Sequence, residues 1–389
     1  MKYPYAKHNI SKGDIDSVVE VLKYKSLTQG NKVEEFESEL AKYLKAKYVV
    51  ACSSGTAALH LIYLAMGLNS NTAIITSPIT FLATAHAARL TGAKVHFADV
   101  DKETGLIFED SVLEILKNTK DKIKAIVLVH LGSKTCDLEK YKSIADEHNI
   151  HLIEDACHAF GEKYISSVNK VSMIGSAKHS YASALSFHAI KNITTGEGGA
   201  VITNNKKFAD KIRLLASHGS IRDNDWNDED ERGPWYYESN LIGYNYRITD
   251  FQATLGISQL KRLDEQNKYK NSLAKLYNKY LKDIKYIKVP DIKEDKINQA
   301  WHLYSILLNF KKIGKSRNQV MQRLLDKGIG TQVHYIPLYK QPVYKNNLDK
   351  KYLGAEDYYK STLSLPMYVG LKRKDIKFIV TILKEIITN

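Results

Sequence analysis

Three short stretches of this chain carry residue types that could do chemistry. The first is SALSFHAIKNITTGEGGAV, residues 183–201: a β-like run, a histidine, one lysine at 191, then threonines and glycines before a second β-like run. An amine in such a connection could attack a carbonyl or carry a proton. It could equally be a surface turn lysine, with Gly196, Gly198 and Gly199 as turn punctuation. The second is HLIEDACHAFG, residues 151–161, where Asp155 closes an apolar run. A carboxylate at the end of a buried strand needs a cationic partner, whether a protonated cofactor ring or a basic side chain, unless it caps a helix. Cys157 beside His158 is a poor thiol nucleophile, because adjacent residues rarely face each other. The third is CSSGTAAL, residues 52–59, small hydroxyl residues and glycine ahead of a helix opening near Thr56. Helix-terminal amides with the Ser54 and Thr56 hydroxyls can hold a phosphate, although ordinary N-capping uses the same residues. The stretch lacks the GxxxxGK[ST] of a P-loop.

The surrounding pattern tells where these stretches sit. Val33, Phe36, Leu40 and Leu44 mark one face of a helix, and seven apolar or β-branched runs follow at 48–52, 73–76, 94–99, 124–130, 151–155, 184–188 and 199–203. Helix-length amphipathic stretches separate most of them, the signature of βαβ units around a largely parallel sheet. Only Ala189 to Gly198 separate the last two runs. A parallel crossover needs a dozen residues or more, so this pair is expected to be antiparallel, with Lys191 at a strand end. Thr249 reads as the N-cap of a long helical stretch reaching about Asp283, with Phe251, Leu255, Ile257, Leu260 and Leu263 as its apolar stripe. Beyond it, AWHLYSILL and GTQVHYIP read as short strands between helices. The expected fold is α/β: a mostly parallel seven-stranded sheet with one antiparallel strand in a large domain, 1–248, and a smaller C-terminal α/β domain, 249–389, entered by the long helix.

Composition narrows the function classes. The 389 residues are 44% hydrophobic, enough for a large buried core. The start MKYPYAKHNISKGDID has no apolar signal core, and the longest apolar run, Ala57 to Leu68, is too short to span a bilayer, so a cytoplasmic protein without membrane partners is expected. Cys52, Cys136 and Cys157 are too few and scattered for a disulfide framework or zinc site, and are expected reduced. The net charge of +14 suits a phosphorylated substrate or a nucleic acid. The lysines form no dense block and no helix-turn-helix pattern is present, which speaks against a nucleic-acid partner. The acidic run 223–232 reads as a solvated loop.

In an open α/β sheet, ligands bind beyond the carboxyl ends of the strands. The phosphate-type loop, Asp155 and Lys191 all fall there, and together they are what pyridoxal phosphate requires: a lysine for the Schiff base, a carboxylate for the ring nitrogen and a helix terminus for the phosphate. At these residues the chain resembles the DegT/StrS group of sugar aminotransferases, of the type I pyridoxal-phosphate fold. The blocks SSGTAAL, SPITFLATAHA, EDACHAFG, SFHAIKNITTGEGGAV and GYNYRITDFQATLGISQLKRLD carry the resemblance over essentially the full length. Within the group, SLTQG (26–30), GPWYYE (233–238) and QVHYIPLY (332–339) are most similar to UDP-sugar 4-aminotransferases of pseudaminic acid biosynthesis.

The resemblance implies roles. Lys191 would be the Schiff-base lysine and the acid/base. Asp155 would pair with the ring nitrogen, His158 would lie near the ring hydroxyl, and Phe81 would stack on the ring. Thr56 with the neighbouring amides of Gly55 and Ala57, and Ser186, would hold the phosphate. Asn245 would reach the phosphate from a second subunit, implying a homodimer with shared sites. Tyr5, Leu27, Thr28, His334 and Tyr335 match regions lining the sugar-nucleotide pocket, and Arg222 and Arg247 are candidates for the diphosphate. His158 departs from the glutamine of many relatives. The implied activity is transfer of an amino group from L-glutamate to the C4 ketone of a UDP-linked 4-keto-6-deoxy sugar. Bacillosamine-type and perosamine-type enzymes are close rivals, whereas the related dehydratases carry histidine where this chain has Lys191.

Overall fold

The computed structural model describes residues 1–221, 233, 235–292, 299–347 and 351–388, and of 345–347 the backbone alone. Its central sheet holds seven strands: β1 Tyr48–Cys52, β2 Thr72–Thr76, β3 Lys94–Phe97, β4 Lys122–Val129, β5 His151–Asp155, β6 Ala182–Ser186 and β7 Gly199–Thr203. They lie in the order β1-β7-β6-β5-β4-β2-β3. Neighbours pair in parallel from β3 to β6, while β7 runs antiparallel to both β6 and β1. The short connection between β6 and β7 therefore has the geometry its length dictates.

Side chains alternate across a pleated strand, and here the alternation sorts residues into two cores. Val50, Ile74, Val127, Ile153, Ala184 and Val201 pack with the helix Gly55–Ala65 on one face. Val49, Ile75, Ile126, Leu128, Leu185 and Ile202 pack on the other, with Phe36, Leu40 and Leu44 of the helix Asn31–Leu44. Those three side chains are fully buried, each contributing about 1.5–3 kcal/mol relative to exposure. A third core surrounds a three-stranded antiparallel sheet, Ile287–Lys288, Tyr304–Leu308 and Thr362–Leu365, with the helices Leu263–Leu281, Arg317–Asp326 and Arg373–Thr388. Tyr3 belongs to this third core and bridges Ile329, whereas Leu338, Tyr339, Tyr352 and Tyr358 pack into the first. Among the described residues no helix is long and apolar enough to cross a membrane.

Three details depart from the sequence expectations. Strand β6 spans 182–186 rather than 184–188, because the chain curls at Phe187, whose N–H donates to the Gly198 carbonyl and whose carbonyl accepts from Thr195. The long helix from Thr249 is two, Asp250–Leu260 and Leu263–Leu281, broken where Arg262 turns to the buried Asp14; the Thr249 cap is as expected, with a full capping box. GTQVHYIP forms no strand: only Gln332 pairs, with Ser364, before the chain bends towards Pro337.

Candidate active site

The carboxyl ends of β1, β2, β4, β5 and β6 open into one cavity of about 670 Å³, closed from the other side by His302, the segment 332–336 and Tyr5. Each strand delivers a side chain or an amide because parallel strands end at one edge. After β1, Ser54 caps the helix Gly55–Ala65 through its hydroxyl, which accepts from the Ala57 N–H at 3.0 Å. The first amides of a helix have no intrahelical acceptor, so those of Gly55 and Thr56 remain to bind an anion. Ser186 at the end of β6 closes this cradle tightly: a Cβ on Gly55 would stand 2.8 Å from the Ser186 Cβ. Gly199 has the same role behind it, since its own Cβ would meet the Ser54 carbonyl oxygen at 2.4 Å.

At the end of β5, Asp155 is buried and forms no ion pair among the described residues. Oδ2 accepts from the Thr84 hydroxyl at 2.7 Å and Oδ1 from the Cys157 amide at 3.3 Å. Thr80 stands 2.7 Å behind Thr84, extending the chain of hydroxyls to the cavity wall. A buried carboxylate held by neutral donors leaves an unmet demand for a cation, which a protonated pyridine ring would satisfy. Lys191 is half-buried in the same cavity; burial pushes its ammonium pKa down, opposed in part by the nearby Asp155 carboxylate. Burial pushes the Cys157 thiol up, so it stays protonated. The residues present thus fit pyridoxal phosphate, with a phosphate cradle, an uncompensated carboxylate and a low-pKa amine sharing one space.

His158, His302 and His334 are neutral, and hydrogen bonds fix the tautomer of His158. Burial, then the charge of Lys191, hold His158 and His302 well below the usual histidine range and His334 at about 3. The Gly132 N–H donates to His158 Nδ1 at 3.3 Å, so the ring proton is on Nε2 and is donated to the Tyr335 hydroxyl oxygen at 3.1 Å. The Tyr335 O–H is then free to donate into the cavity, and burial keeps that phenol protonated. His302 packs against His158 with ring centroids 4.3 Å apart. Phe81 forms a wall of the cavity 6.2 Å from the Tyr335 ring.

Of the residues singled out from sequence, the structure gathers Gly55, Thr56, Phe81, Asp155, His158, Ser186, Lys191, Tyr5, His334 and Tyr335 around the cavity, and Ala57 lies in the same first helical turn. Leu27, Thr28 and Asn245 lie outside the cavity of their own chain, on the surface. Leu27 is tied instead to the start of the helix at Asp250, whose side chain caps the helix Asn31–Leu44 through the Gly30 and Lys32 amides. Arg247 binds the Ser217 hydroxyl at 3.1 Å, and Arg222 and the acidic run 223–232 lie outside the described residues. Thr84, His130 and His302 were not foreseen. Thr84 lies in the helix Leu82–Leu90, and His130 and His302 stand just outside strands, so only the assembled cavity reveals them.

The model of the DegT/DnrJ/EryC1/StrS aminotransferase family matches residues 8–384. The chain is 38% identical over 388 residues to the spore coat polysaccharide biosynthesis protein SpsC of Bacillus subtilis, covering 99% of this chain and 97% of that one. It is 38% identical over 378 residues to the UDP-4-amino-4,6-dideoxy-N-acetyl-beta-L-altrosamine transaminase of Campylobacter jejuni, covering 96% and 95%. Among solved structures it is similar to Helicobacter pylori PseC, an aminotransferase involved in the biosynthesis of pseudoaminic acid, with a TM-score of 0.89, 31% identity and 100% of both chains covered. The pyridoxal-phosphate form of Spr1654 from Streptococcus pneumoniae matches with a TM-score of 0.86 and 25% identity, over 100% of this chain and 99% of that one.

Proposed function

This chain belongs to the DegT/DnrJ/EryC1/StrS aminotransferase family, and from that premise we propose that it moves the amino group of L-glutamate to the C4 ketone of a UDP-linked 2-acetamido-2,6-dideoxy-4-hexulose, as in pseudaminic acid biosynthesis. It is a pyridoxal-phosphate-dependent transaminase acting on nucleotide sugars; the sugar, the donor and the residue roles are the proposal. The observation that carries it is the meeting of Lys191, Asp155, Ser186 and the Ser54–Thr56 helix start in one cavity.

Bound pyridoxal phosphate supplies an aldehyde that takes up an amino group and a protonated ring that draws electrons from the neighbouring carbon. The chain's own residues would do the rest. The Gly55, Thr56 and Ala57 turn and Ser186 anchor the phosphate, and Asp155, oriented by Thr84 and the Cys157 amide, holds the positive ring nitrogen. Lys191, whose ammonium pKa burial lowers, would accept a proton from the donor's α-carbon and return one to the sugar's C4 carbon. Tyr335, fixed by His158, donates a hydrogen bond to an oxygen in the cavity. Phe81 would stack on the ring, while Tyr5 and His334 would line the sugar-nucleotide space. Leu27, Thr28 and Asn245 would serve a neighbouring cavity in a homodimer, which fits their position outside their own. The net charge of +14 complements the diphosphate, and the reaction would run in the cytoplasm.

A second reading, another nucleotide-linked 4-keto-6-deoxy sugar of the bacillosamine or perosamine type, is supported by the equal 38% identity to SpsC and to the altrosamine transaminase. The test is an ultraviolet–visible scan of the protein loaded with pyridoxal phosphate, before and after glutamate, followed by UDP-keto-sugars. The long-wavelength band should shift to that of the aminated cofactor with glutamate and return with the accepted sugar. Lys191→Ala should show neither band nor turnover while melting like the parent; retained turnover would overturn the assignment.

A further inference from the structure

A second lysine lies behind the first. Lys270, on the helix Leu263–Leu281 of the C-terminal unit, is 6% exposed and forms no ion pair among the described residues. Its ammonium donates to the side-chain oxygen of Asn192 at 2.7 Å. Asn192, itself buried, follows Lys191 in the chain, and its amide nitrogen donates to the Phe160 carbonyl at 2.9 Å. Phe160 lies on the loop that leaves Asp155 and His158. Two residues on Asn192 therefore join three pieces: the Lys191 turn, the loop beyond β5 and the helix carrying Lys270.

The junction leaves little slack. Gly161, next to Phe160, has φ +90°, a conformation natural to glycine, and a Cβ there would stand 2.4 Å from the Asn267 amide nitrogen, one helical turn before Lys270. Asn267 also reaches the Phe160 carbonyl, at 3.5 Å. Burial pulls the Lys270 ammonium down to about 7, and among the described residues it forms no ion pair to oppose that. A buried cation without a counter-ion is a liability for stability, and an apolar side chain of similar shape would serve the fold as well or better. Its presence therefore asks for a reason outside stability.

We propose that Lys270 is a positioning residue for Lys191: through Asn192 it sets the reacting amine against the Asp155 loop and ties that geometry to the C-terminal unit. The inference rests on Lys191 being the reacting lysine. Misplacement of a reacting group by about 1 Å can lower a rate ~100-fold, so the effect belongs in kcat rather than in binding.

The experiment compares the holoenzyme with Lys270→Met, Lys270→Arg, Asn192→Ala and the Lys270→Met/Asn192→Ala pair, reading thermal melting, kcat and KM for the sugar nucleotide. Lys270→Met should melt at or above the parent temperature yet lose kcat ~10- to 100-fold with KM nearly unchanged. Lys270→Arg, which keeps a donor for Asn192, should recover part of the loss. The pair should be no slower than Asn192→Ala alone, because both act through one contact. A Met variant with parental kcat, or one that melts clearly lower, overturns the proposal in favour of a structural lysine; additive losses overturn the route through Asn192. A parent protein that shows no pyridoxal phosphate bound through Lys191 would sink the functional reading itself, an outcome distinct from an active parent matched by its Met variant.

Discussion

Glu154 and Asp155 are neighbours at the end of β5, both nearly inaccessible, and the chain treats them in opposite ways. Glu154 is saturated: it accepts from Ser180 at 2.5 Å, Ser183 at 3.0 Å, the Gly175 amide at 3.0 Å and His130 Nε2 at 3.2 Å. His130 is itself fixed, because the Cys136 amide donates to its Nδ1 and leaves the proton on the nitrogen that faces Glu154. Asp155 has one hydroxyl, one amide and an open side towards the cavity. A carboxylate with all its donors supplied by the protein is structural; one left short of a cation waits for a ligand. The pleat of the strand separates the two roles by a single residue.

That contrast can be broken by experiment. Asp155→Asn, which keeps the shape and removes the charge, should lower kcat by ~10²–10³ with a melting temperature close to the parent's. Steady-state rates with a thermal melt decide it, and near-normal turnover would make Asp155 structural too. Glu154→Gln should do the reverse, destabilising by ~1–3 kcal/mol in urea titration while kcat changes little. It should also alter the acid limb. Burial alone would raise the Glu154 carboxyl, but His130, Ser180 and the Gly175 amide hold it below its ordinary value. A carboxyl depressed in the folded state adds stability that is complete above about pH 4.3 and is lost as pH falls through the folded value. Melting temperature should therefore fall less steeply below that pH in Glu154→Gln than in the parent. The smallest effect expected is for Tyr335→Phe, which deletes the free O–H and leaves His158 Nε2–H without its acceptor: a loss of roughly 3- to 10-fold in kcat/KM, ~0.5–1.5 kcal/mol. An unchanged kcat/KM would show that the hydroxyl only orients His158.

The same contrast explains what the sequence could and could not tell. Asp155, Lys191 and the Gly55–Thr56 turn are legible because they lie where an apolar run stops, and strand ends in a parallel sheet point to one place. The antiparallel β7 was legible from a connection too short to cross the sheet. Thr84 and His302 were not, since a threonine inside ATAHAAR and a histidine inside AWHLY have no local pattern that differs from ordinary packing. Tyr335 falls in GTQVHYIP, expected to be a short strand, but its segment follows the cavity instead of a ladder. Nothing in the sequence distinguishes Lys270 from the other lysines of its helix, and only the docking of that helix against Asn192 sets it apart.

The pairing of distant segments has a consequence for how the protein is made. Among the described residues strand β1 at 48–52 takes its only sheet partner from 199–203, Tyr3 is bound by Gly328 and Ile329, and the cavity needs His302 and the segment to 336. A chain growing from its amino end meets these partners late, and contacts so far apart in sequence form slowly. On the ribosome the proposed phosphate cradle at Gly55 must wait for Ser186 and Gly199, and the walls around Lys191 must wait for more than a hundred residues after it. With the residue roles proposed above, cofactor loading is expected only once synthesis is nearly finished.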